Sequence, residues 1–327
     1  MGAATAFDTG AALLLDAAAT LVRSGVVSGD GQDGVMATSL LFGAGDLGTQ
    51  IGFELAGQGD DVVAVRRRAE LVPTPLTGLA CDLSAGADAV CASLAPLDAR
   101  PGRGRGPDRV VICLTPDRRD AQAYRATFVE AAGAALEAIE RLGWAPERAV
   151  FVSSTAVCAS EGDIDESTPA QPSTPTARVL AEAEKRFLDG LPVATRGIVV
   201  RPSGIYGPGR EWFIERVRAG DIGDPARMTH RIHRDDLARA VAHLLTMPQQ
   251  PEELYLVTDD EPAPAGQVAT YVAELLSTQA AASWRDVKPQ DRRISNARLC
   301  ATGFAPTMPS YREGYHAVLG DEGDRHP

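Results

Sequence analysis

Lysine is almost absent. Of 32 basic residues only Lys185 and Lys288 are lysines, and the remainder are arginines. Any chemistry that needs a titratable ammonium therefore has two candidates. An excess of positive charge is lacking too: the net charge is −12 and the isoelectric point is near 4.9. That balance argues against nucleic acid or an anionic membrane surface as a partner. No stretch reaches the roughly 18 consecutive apolar residues of a membrane helix. The apolar run at 11–15 and 17–19 has no basic stretch before it and carries Asp8 and Asp16 around it, which speaks against a secretory leader. The five cysteines are odd in number and show no C-x-x-C spacing. Free buried thiols in a reducing cytoplasm are the expected state, so a cytoplasmic location is expected. The five histidines form no metal-ligand pattern with them.

What is present begins at Ser39. The run Ser39-Leu40-Leu41-Phe42 meets Gly43-Ala44-Gly45-Asp46-Leu47-Gly48 and continues with helical spacing to Ala56. This is G-x-G-x-x-G in its proper setting, between a strand and a helix. Gly43 allows the tight turn, Gly45 lets backbone approach a pyrophosphate, and Gly48 lets helix pack on strand. The N–H groups of Asp46, Leu47 and Gly48 open the helix and point its positive dipole end at the phosphates. The bland alternative is an ordinary glycine turn, which the two flanks disfavour.

A second apolar run, Asp61–Val65, ends in Arg66-Arg67-Arg68. Enzymes that use NAD usually place a carboxylate here for the ribose 2′-hydroxyl. An arginine instead suits a 2′-phosphate through paired charge-assisted hydrogen bonds. NADP(H) is therefore favoured over NAD(H), with Arg66 and Arg67 as its contacts; a solvated charge run is the alternative.

With 327 residues and 44% hydrophobic content, the chain can bury one large core with an appended lobe. Strands are expected at 38–42, 61–65, 78–81, 109–114, 148–153, 194–200 and 253–257. Helices are expected at 47–58, 84–94, 118–142, 176–189, 211–219, 234–246 and 265–277. This alternation predicts an α/β chain with a doubly wound parallel Rossmann sheet and a small C-terminal substrate lobe. Residues 1–35 read as an N-terminal extension, with Met36 a natural start. Residues 36–200 form the dinucleotide-binding domain, and 201–327 form mostly the lobe, with a strand near 253–257 returning to the main sheet. Ligands in such sheets bind at the strand C-termini, which adds Asp82, Leu114, Thr115, Pro116, Ser153 and Ser154 to the cleft. Residues 101–107, rich in Gly, Arg and Pro, read as a surface loop.

Several stretches resemble, in order, the extended short-chain dehydrogenase/reductases, the NAD-dependent epimerase/dehydratase group. They are Val150–Val157, with its serines; Arg201-Pro202-Ser203-Gly204-Ile205-Tyr206-Gly207-Pro208-Gly209; Arg231–Ala238; and Tyr255–Pro262. The G-x-G-x-x-G turn and the tail Arg293–Gly314 resemble the atypical YeeZ-like branch. The resemblance implies a nicotinamide cofactor contacted also by Pro202, a small-molecule substrate with a hydroxyl or carbonyl, and Ser154 as the family serine. It also implies that helices 118–142 and 176–189 could pair two copies into a homodimer.

One departure matters. Family chemistry uses a tyrosine and, four residues on, a lysine. Aligned on Asp165-Glu166-Ser167-Thr168-Pro169 and Glu182, those positions hold Thr174 and Arg178, and no tyrosine stands between Tyr124 and Tyr206. A threonine hydroxyl is a far weaker acid than a phenol. Arg178 stays charged, so it can bond the nicotinamide ribose but cannot shuttle protons. Ser154, Thr174 and Arg178 are the catalytic candidates. Tyr206, Arg210 and His233 are the substrate candidates, Arg210 as the anchor for an anion. Asp165 and Glu166 read as a solvated acidic loop. Two functions remain open: an NADP(H)-dependent oxidoreductase or epimerase-like enzyme, or a catalytically silent NADP-binding sensor or metabolite- or partner-binding protein.

Overall fold

The computed structural model describes residues 36–99, 106–285, 287–320 and 323–326. The expected extension at 1–35 and most of the 101–107 loop lie outside them. Seven strands form one parallel sheet: β1 Thr38–Phe42, β2 Asp61–Arg66, β3 Thr77–Ala80, β4 Arg109–Ile112, β5 Arg148–Val152, β6 Arg196–Pro202 and β7 Leu254–Val257. Their order is β7-β6-β5-β4-β1-β2-β3, with every pairing parallel. The order reverses beside β1, and that switch point sets the cleft for ligands.

The strands read as continuous apolar runs because both faces are covered. Leu41, Ala64, Val111, Val150 and Ile198 face one side and pack with Ile51, Leu55, Leu237 and Val241. These helical partners come from α1 (Asp46–Gly57) and from a helix later in the chain, Arg234–Thr246. Leu40, Phe42, Val63, Val110 and Phe151 face the other side, against Val90, Ala135, Leu180 and Phe187. Those residues belong to α2 (Ala87–Leu94), α3 (Ala121–Tyr124, a wider π-helical stretch Arg125–Ala131, then Ala132–Arg141) and α4 (Pro175–Asp189).

The lobe has its own core. Phe213 and Ile214 of α5 (Trp212–Arg218) pack with Val268 and Val272 and with Tyr311 and Tyr315. Arg234–Thr246 is α6; after it come α7 (Ala265–Leu275), a short helix Ala297–Ala301 and α8 (Tyr311–Leu319). α6 lies in the helical layer of the sheet beside α1, so 234–257 belongs with the sheet and the lobe is built from the segments on either side. Three short pairings knit the lobe: Gly204–Tyr206 with Arg231–His233, Met228–Thr229 with Ala263–Pro264, and Gly162–Ile164 with Arg292–Ile294.

The elements fall close to their sequence positions. α3 starts at Ala121 rather than 118 because Asp120 caps it, accepting from the Ala123 N–H at 2.8 Å. β6 runs on to Pro202, beyond the expected end at 200, because β7 pairs with it through Pro202. Among the described residues, no helix is long and apolar enough to cross a membrane.

Candidate functional site

The glycine turn is built by steric necessity. Gly43 has φ +96, and a Cβ there would stand 2.2 Å from the Cys113 carbonyl oxygen. A Cβ on Gly48 would stand 2.0 Å from the Gly43 carbonyl oxygen, so α1 can approach its own loop only without a side chain. Around Gly45 nothing lies within 4 Å of that position. The loop is therefore crowded on its protein side and open on the other, and no side chain caps the first N–H groups of α1. Those are the conditions a pyrophosphate requires.

A cavity of about 360 Å³ opens there. It gathers Gly43, Gly45, Arg66, Arg67, Asp82, Leu114 and Thr115 from the sequence candidates, and adds Arg68, Ser84 and Asp117. The π-helical stretch of α3 supplies Ala126, Thr127 and Ala131 to its wall. Arg66 ends β2 and is half-buried; burial and the neighbouring Arg68 charge pull its pKa down. Arg67 lies 3.7 Å from Asp117 in an exposed pair. Asp82 takes the Ser84 N–H and hydroxyl on one oxygen, which lowers its pKa. Cys113 is buried in the wall, and burial pushes its thiol up to about 12, so it is an inert lining. Asp46, Leu47, Gly48, Pro116, Ser153, Ser154, Arg178 and Pro202 are not on this cavity's wall.

The other sequence candidates carry local duties. Thr174 caps α4, its Oγ1 accepting from the Ala177 N–H at 3.1 Å, and Arg178 one turn on donates to the Ser173 carbonyl at 3.3 Å. The Ser153 hydroxyl donates to Glu184, which Arg201 grips with two bonds of 2.9 and 2.6 Å. Ser154 Oγ accepts from the Ala156 N–H at 3.1 Å, leaving its own hydrogen to donate. Tyr206 is buried and donates to the Ser310 carbonyl at 3.3 Å; burial, reinforced by Asp259, raises its pKa. His233 caps α6, Nδ1 accepting from the Asp235 N–H at 3.3 Å, and burial lowers its pKa. Glu166 is no solvated acid: its Oε1 accepts from the Leu256 N–H at 2.9 Å.

Asp46 has a second role. Its carboxylate accepts from Arg210 Nε at 2.8 Å and from the buried Arg234 at 2.8 Å, so α1 is tied to the turn after Gly209 and to α6. Burial alone would raise the Asp46 pKa, but the two arginines together outweigh it and hold the carboxyl down. Arg210 is thus held at the glycine loop while it also borders a second cavity.

That second cavity, about 300 Å³, lies between the serine segment and the lobe. Arg210, Arg227, Arg231 and Arg292 line it, together with His230, Trp212 and Thr155, and none of its lining residues is acidic. Arg292 is held by the Ala159 and Thr155 carbonyls at 3.1 and 3.3 Å. Arg231 is buried, donates to Thr229, and sits 5.0 Å over the Phe213 ring. Two of the substrate candidates read from the sequence, Arg210 and Tyr206, lie on this wall, and His233 does not. Arg227, His230, Arg231 and Arg292 lie in segments brought together only by the short lobe pairings, so spacing carried no signal of them. Among the described residues no cluster of His, Cys, Asp or Glu could hold a metal ion.

A protein from Methylobacillus flagellatus, placed among the NAD-dependent epimerase/dehydratases, is similar to this chain at 30% identity and a TM-score of 0.73, over 88% of this chain and 99% of that one. The chain belongs to the NAD-dependent epimerase/dehydratase family. The fold is shared with UDP-glucose 4-epimerase of Thermus thermophilus, solved with NAD, at 21% identity and a TM-score of 0.68 over 87% of this chain and 98% of that one. WbmH of Bordetella bronchiseptica, solved with NAD⁺, shares it at 16% identity, TM-score 0.67, over 88% and 98%. Protein YeeZ of Escherichia coli K12 is 36% identical over 104 residues, which are 31% of this chain and 36% of that protein. The match thus spans about a third of that relative. Models of known protein families give no match.

Proposed function

We propose that this family member is an NADP(H)-dependent oxidoreductase or epimerase-like enzyme acting on a small hydroxyl or carbonyl metabolite that carries an oxyanion. The observation that carries the cofactor half is Arg66, with Arg67 and Arg68, at the end of β2 on the wall of the glycine-loop cavity. Burial and the neighbouring Arg68 charge disfavour the charged form of Arg66, and an arriving 2′-phosphate relieves that cost. The glycine turn fits a dinucleotide on steric grounds, since the space in front of Gly45 is open and the space behind Gly43 and Gly48 is filled. The bound dinucleotide supplies a hydride acceptor or donor; the chain supplies the rest. The N–H groups of α1 and the arginines after β2 hold and orient the phosphates. The arginines of the second cavity hold the substrate's anionic end. Ser154 donates a hydrogen bond to the reacting oxygen and keeps its proton, and the proton that the oxygen gains or loses is exchanged with water. Reduction of an activated carbonyl or imine asks less of that donor than oxidation of an alcohol does, which suits a site without the family tyrosine.

A second reading has its own support. Thr174 stands where the tyrosine is expected and spends its oxygen on the α4 cap. A catalytically silent NADP(H) sensor is consistent with that. Calorimetric titration of wild type and Arg66→Ala with NADPH and NADH tests the cofactor claim. Tight NADPH binding that weakens in the variant by about tenfold or more, with NADH binding little changed, is the expected result. Equal affinities for both nucleotides in wild type would remove the claim.

A further inference from the structure

Residues 323–326, beyond α8, lie along one stripe of α1. Asp46, Gln50 and Phe53 are spaced i, i+4 and i+7, so they share a face of that helix. The His326 N–H donates to Asp46 Oδ1 at 3.4 Å, and its Nε2–H donates to Gln50 Oε1 at 2.7 Å. Its ring meets the Phe53 ring edge to face, with centroids 5.0 Å apart. Arg234 Nη1 bonds Asp46 Oδ1 at 2.8 Å and the Asp324 carbonyl at 2.7 Å, so one buried guanidinium joins helix and segment. The Arg325 stem runs across Gly209, where a Cβ would stand 2.1 Å from its Cδ. Gly323, Asp324 and Arg325 are themselves exposed, so the segment can lift from the surface without opening either core.

Asp46 is the first residue of α1, so it brings a negative charge to the helix end that faces a pyrophosphate. A carboxylate free to turn there repels phosphate. It is kept off the wall of the glycine-loop cavity, because its oxygens are taken by Arg210, Arg234 and the His326 N–H. We propose that residues 323–326 are a clasp that positions the first turn of α1 for the dinucleotide, with His326 as its positioning residue. With the clasp docked, Arg234 is shielded from water and holds Asp46 away from the phosphates. With the clasp lifted, both charges are hydrated and the carboxylate is free to turn toward them. The dinucleotide therefore binds the docked form more tightly, and by linkage it holds the clasp down by the same factor. The proposal rests on the dinucleotide reading above and adds to it an element 280 positions from Asp46 in sequence.

The test is a double-mutant cycle on the full chain, read by calorimetric titration with NADPH. His326→Ala removes the Phe53 contact and the Gln50 bond, and Asp46→Asn removes the charge that the clasp holds off. His326→Ala should weaken NADPH about tenfold when Asp46 is present, and by less than about twofold in Asp46→Asn. NADH carries the same pyrophosphate and should give the same ratio. In wild type, hydrogen exchange at the His326 amide should slow about tenfold when NADPH saturates, by the same linkage. That measurement needs no substitution, so it decides the matter even where a variant fails to fold. A merely structural role for His326 gives equal losses in both backgrounds, and that outcome overturns the proposal. So does NADPH binding that is tight in wild type and unchanged in His326→Ala, or His326 exchange indifferent to NADPH; each removes the clasp and leaves the dinucleotide reading standing. If wild type binds neither nucleotide, that reading has failed and the clasp with it.

Discussion

Asp259 offers a stability measurement whose sign is fixed by the structure. It lies two residues past β7, is 2% exposed, and neither carboxylate oxygen accepts a well-formed hydrogen bond from the described residues. Burial pushes its pKa up from 3.8 to about 8; the Arg231 charge opposes the rise and Asp260 adds to it. The folded protein thus keeps a proton that the unfolded chain releases. A pKa raised on folding gives a contribution that is fully present below about pH 4 and is lost as the pH climbs through about 8. One pKa unit corresponds to about 1.4 kcal/mol, so between pH 5 and pH 8 this group costs at most about 4 kcal/mol of stability. Asp259→Asn keeps the shape and removes the titration. Urea unfolding of wild type and variant at pH 5, 6, 7 and 8 isolates the effect, because every other ionisable group is common to both. The variant's advantage should grow steadily with pH over that range. A difference that is flat with pH would show that Asp259 is ionised in the native fold, and the reasoning from burial would be wrong.

Two further substitutions probe the frame of the site. Gly48→Ala drives a methyl group against the Gly43 carbonyl, whose oxygen would be 2.0 Å away; the expected result is about 1–3 kcal/mol lost in thermal unfolding and no measurable NADPH binding by calorimetry. Arg201→Ala leaves Glu184, whose side chain is 8% exposed, without its cation; chemical denaturation should register about 3–5 kcal/mol, and a loss under about 1 kcal/mol would mean that the pair does not hold α4 to β6.

The sequence was most readable where one local cause sets the structure. Buried runs such as Leu40–Phe42 and Val62–Val65 must be central strands, since only a sheet covered on both faces leaves no polar alternation. Gly43 and Gly48 declare a steric requirement that acts within a few residues. Side-chain duties at the second cavity were not readable. Arg231 and Arg292 are 61 positions apart in sequence, and Asp46 meets Arg234 across 188; no local pattern encodes either meeting. Arg210 illustrates the difference. Its place beside the Gly-Pro-Gly turn suggested an anion anchor, yet a carboxylate on α1 occupies its Nε. Thr174 and Tyr206 likewise had chemistry legible in their type, while their partners, a helix N–H and a distant carbonyl, are set by packing.

The sheet order has a bearing on how the molecule comes together during synthesis. The four strands between residues 38 and 112 are neighbours in the sheet, in the order β3-β2-β1-β4, so a ribosome releases a nearly self-paired half before the rest exists. The strands carrying Gly162–Ile164 and Met228–Thr229 must wait for Arg292–Ile294 and Ala263–Pro264. Long-range pairings of this kind close late, because loop entropy is paid before their contacts form. The glycine-loop half is therefore largely assembled early and the arginine-lined half last.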